Sequence, residues 1–181
     1  MKQTSKITQW ALAAALLVAP ALVQASTRVP ETQAELANRV RHELVMLPYY
    51  NLFDNFAYKV EGRDVTLYGQ VVRPTLRSEA EQVVRDIPGV ETVTNNIEVL
   101  PLSPMDNRIR LAAARAIFSQ PALSRYAYGP VSPIHIIVKN GNLTLEGVVA
   151  NEVDRNIAGI QANGVFGVFS VTNNLRVDRN S

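Results

Sequence analysis

The sequence predicts an α+β protein made of two tandem copies of one helix–strand–strand–helix–strand unit. Each copy is expected to form a three-stranded mixed sheet with two helices on one face. Three observations carry this. Shifted by 78 residues, residues 60–99 lie on residues 138–177 without a gap, and 14 of the 40 positions agree. The matches include Thr66-Leu67 with Thr144-Leu145, Gly69 with Gly147, and Val93-Thr94-Asn95-Asn96 with Val171-Thr172-Asn173-Asn174. Apolar residues then recur at helical spacing ahead of each pair of alternating runs. Finally, Asn140-Gly141, a strong hairpin signal, separates two such runs in the second copy, and Gly62-Arg63 holds that place in the first.

Taken in order, Leu36, Val40, Leu44 and Leu47 define the buried stripe of a first helix. Residues 56–61 and 64–71 alternate as two strands. Pro74 begins a second helix, a position where its missing N–H costs nothing, and Pro88-Gly89 ends it. The last strand puts Val93, Ile97 and Val99 on one face together with Asn95. Asn95 and its counterpart Asn173 read as structural amides bound to local backbone, because buried amides are as a rule satisfied internally. Upstream of the strands the offset falls to 73, with Leu36, Leu44 and Pro48 on Ile109, Ile117 and Pro121. The second copy thus carries five extra residues, assigned to Gly129-Pro130-Val131-Ser132-Pro133. The expected units are residues 32–100 and 106–178, joined by a short Pro-rich linker at residues 101–105.

The first 25 residues read as a secretory signal. Lys2 and Lys6 precede the apolar residues 7–19, and Val23-Gln24-Ala25 offers a cleavage site after Ala25. The mature protein is therefore expected in the periplasm. Losing Lys2 and Lys6 takes the basic residues from 18 to 16, against 16 acidic ones. A near-neutral chain lacks the basic footprint of a general nucleic-acid binder. The chain has no cysteine, which excludes disulfides, thiolate metal sites and a lipid-modified N-terminal Cys.

No constellation for catalysis is present, and no enzyme activity, cofactor or metal is expected. The two histidines, His42 and His135, are too few for a three-histidine zinc site and lack HExxH spacing. Both read as ordinary surface residues. Glu79 and Glu81 read as solvated helix residues. Asn142-Leu143-Thr144 matches a glycosylation sequon, but it sits at a strand start behind a bacterial-type signal.

With these residues in place, the chain resembles the BON-domain proteins, in particular the two-domain, osmotically inducible periplasmic type. The resemblance spans residues 31–178. It rests on Val65-Thr66-Leu67-Tyr68-Gly69-Gln70-Val71 with Pro88-Gly89-Val90-Glu91-Thr92-Val93-Thr94-Asn95-Asn96-Ile97. The second set is Leu143-Thr144-Leu145-Glu146-Gly147-Val148-Val149 with Gly167-Val168-Phe169-Ser170-Val171-Thr172-Asn173-Asn174-Leu175. The resemblance implies a non-enzymatic envelope protein that associates with phospholipid membranes under osmotic or envelope stress. It supplies no catalytic residues. Because no cysteine is available for acylation, any membrane contact is expected to be peripheral.

The copies differ in charge. Residues 32–100 hold seven basic and ten acidic side chains, a net of −3, and residues 101–178 hold seven and five, a net of +2. On the helix expected over residues 106–119, Ile109, Ala113, Ala116 and Ile117 fit the core. Arg108, Leu111, Arg115 and Phe118 fall on another face, with Arg125, Tyr126 and Tyr128 shortly after. Arginine beside aromatics suits an anionic phospholipid surface, so these seven residues form the candidate lipid-binding set. The same residues also fit a solvated helix face with the tyrosines covering the sheet. Phe166 and Phe169 stand where the first copy has Pro88 and Glu91, and they fit core filling or a second apolar contact equally. Envelope proteins are the other expected partners, since the alternative function is a periplasmic protein-interaction or chaperone-like module.

Overall fold

The computed structural model describes residues 32–129 and 131–178. The segment read as a signal, with its cleavage site after Ala25, lies outside the described residues. The first module runs α1 (Gln33–Val45), β1 (Asn55–Glu61), β2 (Asp64–Val71), α2 (Pro74–Arg85), β3 (Thr92–Asn95) and β4 (Glu98–Val99). The second runs α3 (Pro104–Phe118), a 3-10 turn at Ser124–Ala127, β5 (Ile134–Lys139), β6 (Asn142–Val149), α4 (Glu152–Asn163), β7 (Ser170–Asn173) and β8 (Arg176–Val177).

The central strand of each sheet pairs antiparallel with the strand before it and parallel with the segments after α2 or α4. The expected mixed sheet is therefore present, with its last strand split in two. The asparagines account for the split. Asn95 Oδ1 accepts from the Ile97 N–H at 3.1 Å, while Nδ2 donates to the Arg77 carbonyl at 2.8 Å. Asn173 makes the same two bonds, from the Leu175 N–H at 3.2 Å and to the Arg155 carbonyl at 2.8 Å. Each amide replaces a ladder bond and ties the strand to the helix above it. Both are structural amides, as their pattern predicts.

Local signals set the helix ends. Thr32 and Glu35 form a capping box on α1. Ser103 accepts from the Asp106 N–H at 3.1 Å, and Pro104 takes the first helical position, so α3 starts two residues earlier than the expected 106. Leu36, Val40 and Leu44 of α1, and Ile109, Ala113 and Ile117 of α3, are buried at matching positions. Complete burial of each large apolar side chain stabilises by about 1.5–3 kcal/mol. Gly69 and Gly147 have φ of +114° and +120°, and a β-carbon there would lie 1.9 Å from the Asn55 carbonyl oxygen and 2.0 Å from that of Pro133. The matched glycines of the repeat therefore mark one close backbone approach used twice.

The modules also pack on each other. Ile136 donates its N–H to the Leu52 carbonyl at 2.7 Å, and Leu52 and Phe53 pack against the second module's core. Arg110 is 3% exposed and donates from Nη2 to the Val138 carbonyl at 2.6 Å. The Ser132 hydroxyl meets both the N–H and the carbonyl of Ile134. The outer edge of β5 is thus covered by a loop, an arginine and a serine, which removes its capacity to pair with another chain. Every β5 residue except Lys139 is buried. His135 is consequently a buried interface residue rather than the surface residue the sequence suggests: Tyr50 of the first module lies against it. A hairpin strand reads as half-exposed from its own sequence, and only the neighbouring module removes it from water.

Candidate functional site

The two helix layers differ in what they show to solvent. Neither α1 nor α2 exposes a large apolar side chain. In the second module Met105 and Leu111 on α3, Val153 and Ile160 on α4, and Phe166 and Phe169 beyond α4 are all exposed. Phe166 and Phe169 are 95% and 84% exposed, which excludes the core-filling reading. Large aromatics exposed to this degree mark contact surfaces more often than chance decoration.

Phe169 owes its position to a paired substitution. In the first module the hairpin residue Arg63 forms an ion pair with Glu91. The equivalent residues are Gly141 and Phe169, and the Phe169 ring lies where a Gly141 β-carbon would be, 2.4 Å away. An exposed ion pair has become an exposed ring on a bare turn. The turn itself is held by Asp106, whose carboxylate accepts from the Asn140 and Gly141 N–H groups at 2.9 Å each. Met105 lies beside Gly167, 3.5 Å from where a β-carbon there would sit. The N-terminus of α3, the β5–β6 turn and the loop after α4 therefore bring Met105, Phe166 and Phe169 to one end of the module.

The sequence-predicted residues divide into two groups. Arg108, Leu111 and Arg115 are exposed on α3, and Tyr128 is 82% exposed. Among the described residues Arg108 and Arg115 make no ion pair. Phe118 is half-buried against the second core. Arg125 is exposed but paired, and Tyr126 is half-buried and hydrogen-bonded within the module. The Tyr126 hydroxyl donates to Asp154 Oδ2 at 2.6 Å and accepts from the Ala150 N–H at 2.8 Å. Arg125 lies over the Tyr126 ring, 4.9 Å from its centre, and pairs with Asp154. Asp154 also caps α4 with Asn151. It occupies the position of Leu76, a core residue of the first module, and Arg125 and Tyr126 of the 3-10 turn, with Asn151, supply the polar partners that make its burial tolerable.

Arg110, the other arginine of α3, faces inward, and burial lowers its pKa against the raising effect of Asp106 and Asp54. Of the seven basic residues in this unit, Arg110 is buried, and Arg125, Lys139 and Arg155 are paired with Asp154, Glu98 and Glu152. The excess positive charge available to an anion therefore sits on Arg108, Arg115 and Arg176. Phe166, Phe169 and Met105 are the residues sequence reading did not assign. The replacement of Arg63 and Glu91 by Gly141 and Phe169 was the available signal. Among the described residues there is no cluster of three potential metal ligands, and no helix is long and apolar enough to cross a membrane.

The family model described as BON domain matches this chain twice, over residues 32–101 and 119–179. No curated protein matches. Among solved structures, the C-terminal domain of CdsD, the structural protein of the type III secretion system of Chlamydia trachomatis, is similar at 14% identity and a TM-score of 0.29. That match covers 81% of this chain and 99% of that one. A second structure of CdsD from the same organism gives 13% identity and a TM-score of 0.31, covering 81% and 94%.

Proposed function

This chain belongs to the BON domain family, and from that premise we propose that it is a periplasmic, non-enzymatic envelope protein that binds anionic phospholipid surfaces peripherally through its second module. BON domains are associated with phospholipid binding and with envelope and osmotic stress. What carries the assignment to one module is the contrast in exposed apolar residues. Six line the helix layer and adjoining loop of the second module, against Met46 and Tyr49, just beyond α1, in the first.

In this reading Met105, Phe166 and Phe169 enter the headgroup region, Leu111 lies along it, and Arg108 and Arg115 meet phosphates. Tyr128 belongs to the same surface. Arg125, Tyr126 and Phe118 act behind it, holding the inserted loop and the start of α4. Aromatic and basic side chains on one amphipathic surface bind an interface by apolar burial together with attraction to anionic lipid. Export with cleavage after Ala25 belongs to the same proposal. Sedimentation with vesicles of anionic phosphatidylglycerol, compared with neutral phosphatidylcholine, tests it. Binding to the anionic vesicles alone is expected, and equal binding to both would remove the role given to Arg108 and Arg115.

A further inference from the structure

We propose that the cleft between the two modules takes an extended acidic peptide, which adds as a strand to the outer edge of β1. The alternation of an antiparallel pair turns the backbone groups of every second residue away from the partner strand. On β5 those residues are Ile134, Ile136 and Val138, and each has a partner outside the ladder. The equivalent residues of β1 are Phe56, Tyr58 and Val60. The Tyr50 ring stacks on Phe56 at one end of this edge, and the Gln33 side chain serves the Val60 carbonyl at the other. Tyr58 lies between them, and among the described residues its outward N–H and carbonyl have no partner.

The chain itself shows what this position accepts. Ile136, which matches Tyr58 in the repeat, donates to the carbonyl of Leu52, a backbone group supplied from outside the sheet by the turn at residues 51–54. At Tyr58 no such group is supplied. The edge instead opens on a cleft of about 1070 Å³, with Asn55, Phe56, Ala57 and Tyr58 on one wall and His135, Glu146 and Gly147 among the residues opposite. A paired edge in one module and an open one facing a cleft in the other suit strand addition, in which main-chain bonds supply affinity and flanking side chains supply selection.

Charge identifies the peptide. Arg41 on α1 and Arg176 on β8 line the cleft, are exposed and make no ion pair among the described residues. The one carboxylate lining it, Glu146, accepts from Asn174 Nδ2 at 2.7 Å. The cleft therefore sets two unpaired arginines against one carboxylate, an excess of positive charge that acidic side chains on the added strand complement. Apolar residues alternating with the acids would meet Val45 and the stacked rings of Tyr50 and Phe56, whose centres are 4.9 Å apart.

The test uses the full mature chain and a short fluorescent peptide alternating valine with aspartate, followed by anisotropy. Saturable binding is expected, with the valine–lysine counterpart about tenfold weaker or worse. Hydrogen exchange at the Tyr58 amide should slow when the acidic peptide is bound. Arg41→Glu with Arg176→Glu should weaken the acidic peptide about tenfold while circular dichroism stays unchanged. Tyr58→Pro removes the N–H and should abolish binding, and the arginine pair keeps the test decisive should that variant fail to fold. Phe166→Ser with Phe169→Ser, directed at the vesicle contact, should leave peptide binding intact. Equal binding of the lysine peptide, or unchanged Tyr58 exchange at saturation, would overturn the proposal. So would slowed Tyr58 exchange on self-association without peptide, which would make the occupant a second copy of this chain.

Discussion

Tyr50 of the first module and His135 of the second stack across the module interface, with ring centres 5.6 Å apart and the Tyr50 hydroxyl 3.4 Å from His135 Nε2. Burial pushes the Tyr50 hydroxyl up to about 12 and lowers the His135 pKa. His135 Nδ1 is buried without a hydrogen-bond partner, and burial outweighs the backbone groups of Asp54 and Asn51, which favour the protonated ring.

The interface should therefore weaken in acid. An unfolded histidine takes up its proton near pH ~6.5, whereas folded His135 resists until lower pH. Stability from the neutral ring is complete above about 6.5 and is lost as pH falls through that value towards the lowered folded pKa. Asp54, raised by burial, acts in the opposite sense. Comparison with His135→Leu isolates the histidine. Thermal unfolding of the native chain should fall between pH ~7 and ~5 by more than that of the variant. Parallel curves would show that His135 does not govern the clasp.

Reversing charge on α3 tests the membrane surface. Arg108→Glu with Arg115→Glu should cost about 2 kcal/mol of vesicle affinity, roughly thirtyfold, since each cation contributes about 1 kcal/mol near an anionic leaflet. Added salt should release the native protein, because ions screen exposed charges. Arg39→Glu with Arg77→Glu in the first module should matter less. A larger loss from this second pair would move the contact to the first module.

Phe166→Ser with Phe169→Ser should lower affinity for anionic vesicles without lowering the unfolding temperature, because both rings are outside the core. Native tyrosine and tryptophan signals cannot report on these rings, so sedimentation is the measurement to use. Undiminished sedimentation would confine the contact to α3.

Tyr126→Phe should destabilise the second module by about 1–3 kcal/mol, the range for leaving buried polar partners unsatisfied. Its three bonds, to Asp154 and from Ala150 and Arg125, disappear together. Vesicle binding by the folded fraction should hold. Denaturant unfolding read beside sedimentation separates these outcomes. A loss of binding at unchanged stability would return Tyr126 to the lipid-contacting set.

Gly147→Ala should cost about 3 kcal/mol or more, since it combines an unfavourable backbone angle with a collision against the Pro133 carbonyl. Gly69→Ala should do the same in the first module through Asn55. A matched pair of large losses in urea unfolding is expected, and a neutral alanine at either site would show that the approach can relax.

The sequence by itself determined the repeat, the element order, the register of the hairpins and the family. Each depends on neighbours in the chain: Asn140-Gly141 makes a turn, Pro74 opens a helix, and Leu36, Val40 and Leu44 face one way whatever surrounds them. The amide role of Asn95 and Asn173 was legible for the same reason, since their partners lie on the strand and the helix just before it. Arg108, Leu111 and Arg115 were legible as a helix face. Tertiary structure alone decided which polar residues were free. Arg125 and Tyr126 are engaged because α4 brings Asp154 to them from 28 residues or more away, and His135 is buried by contacts with the first module. The exposure of Phe166 and Phe169, and the open edge at Tyr58, likewise depend on what the rest of the chain leaves uncovered. Periodicity records which way a side chain points along its own element, and it carries no record of what another element places in front of it.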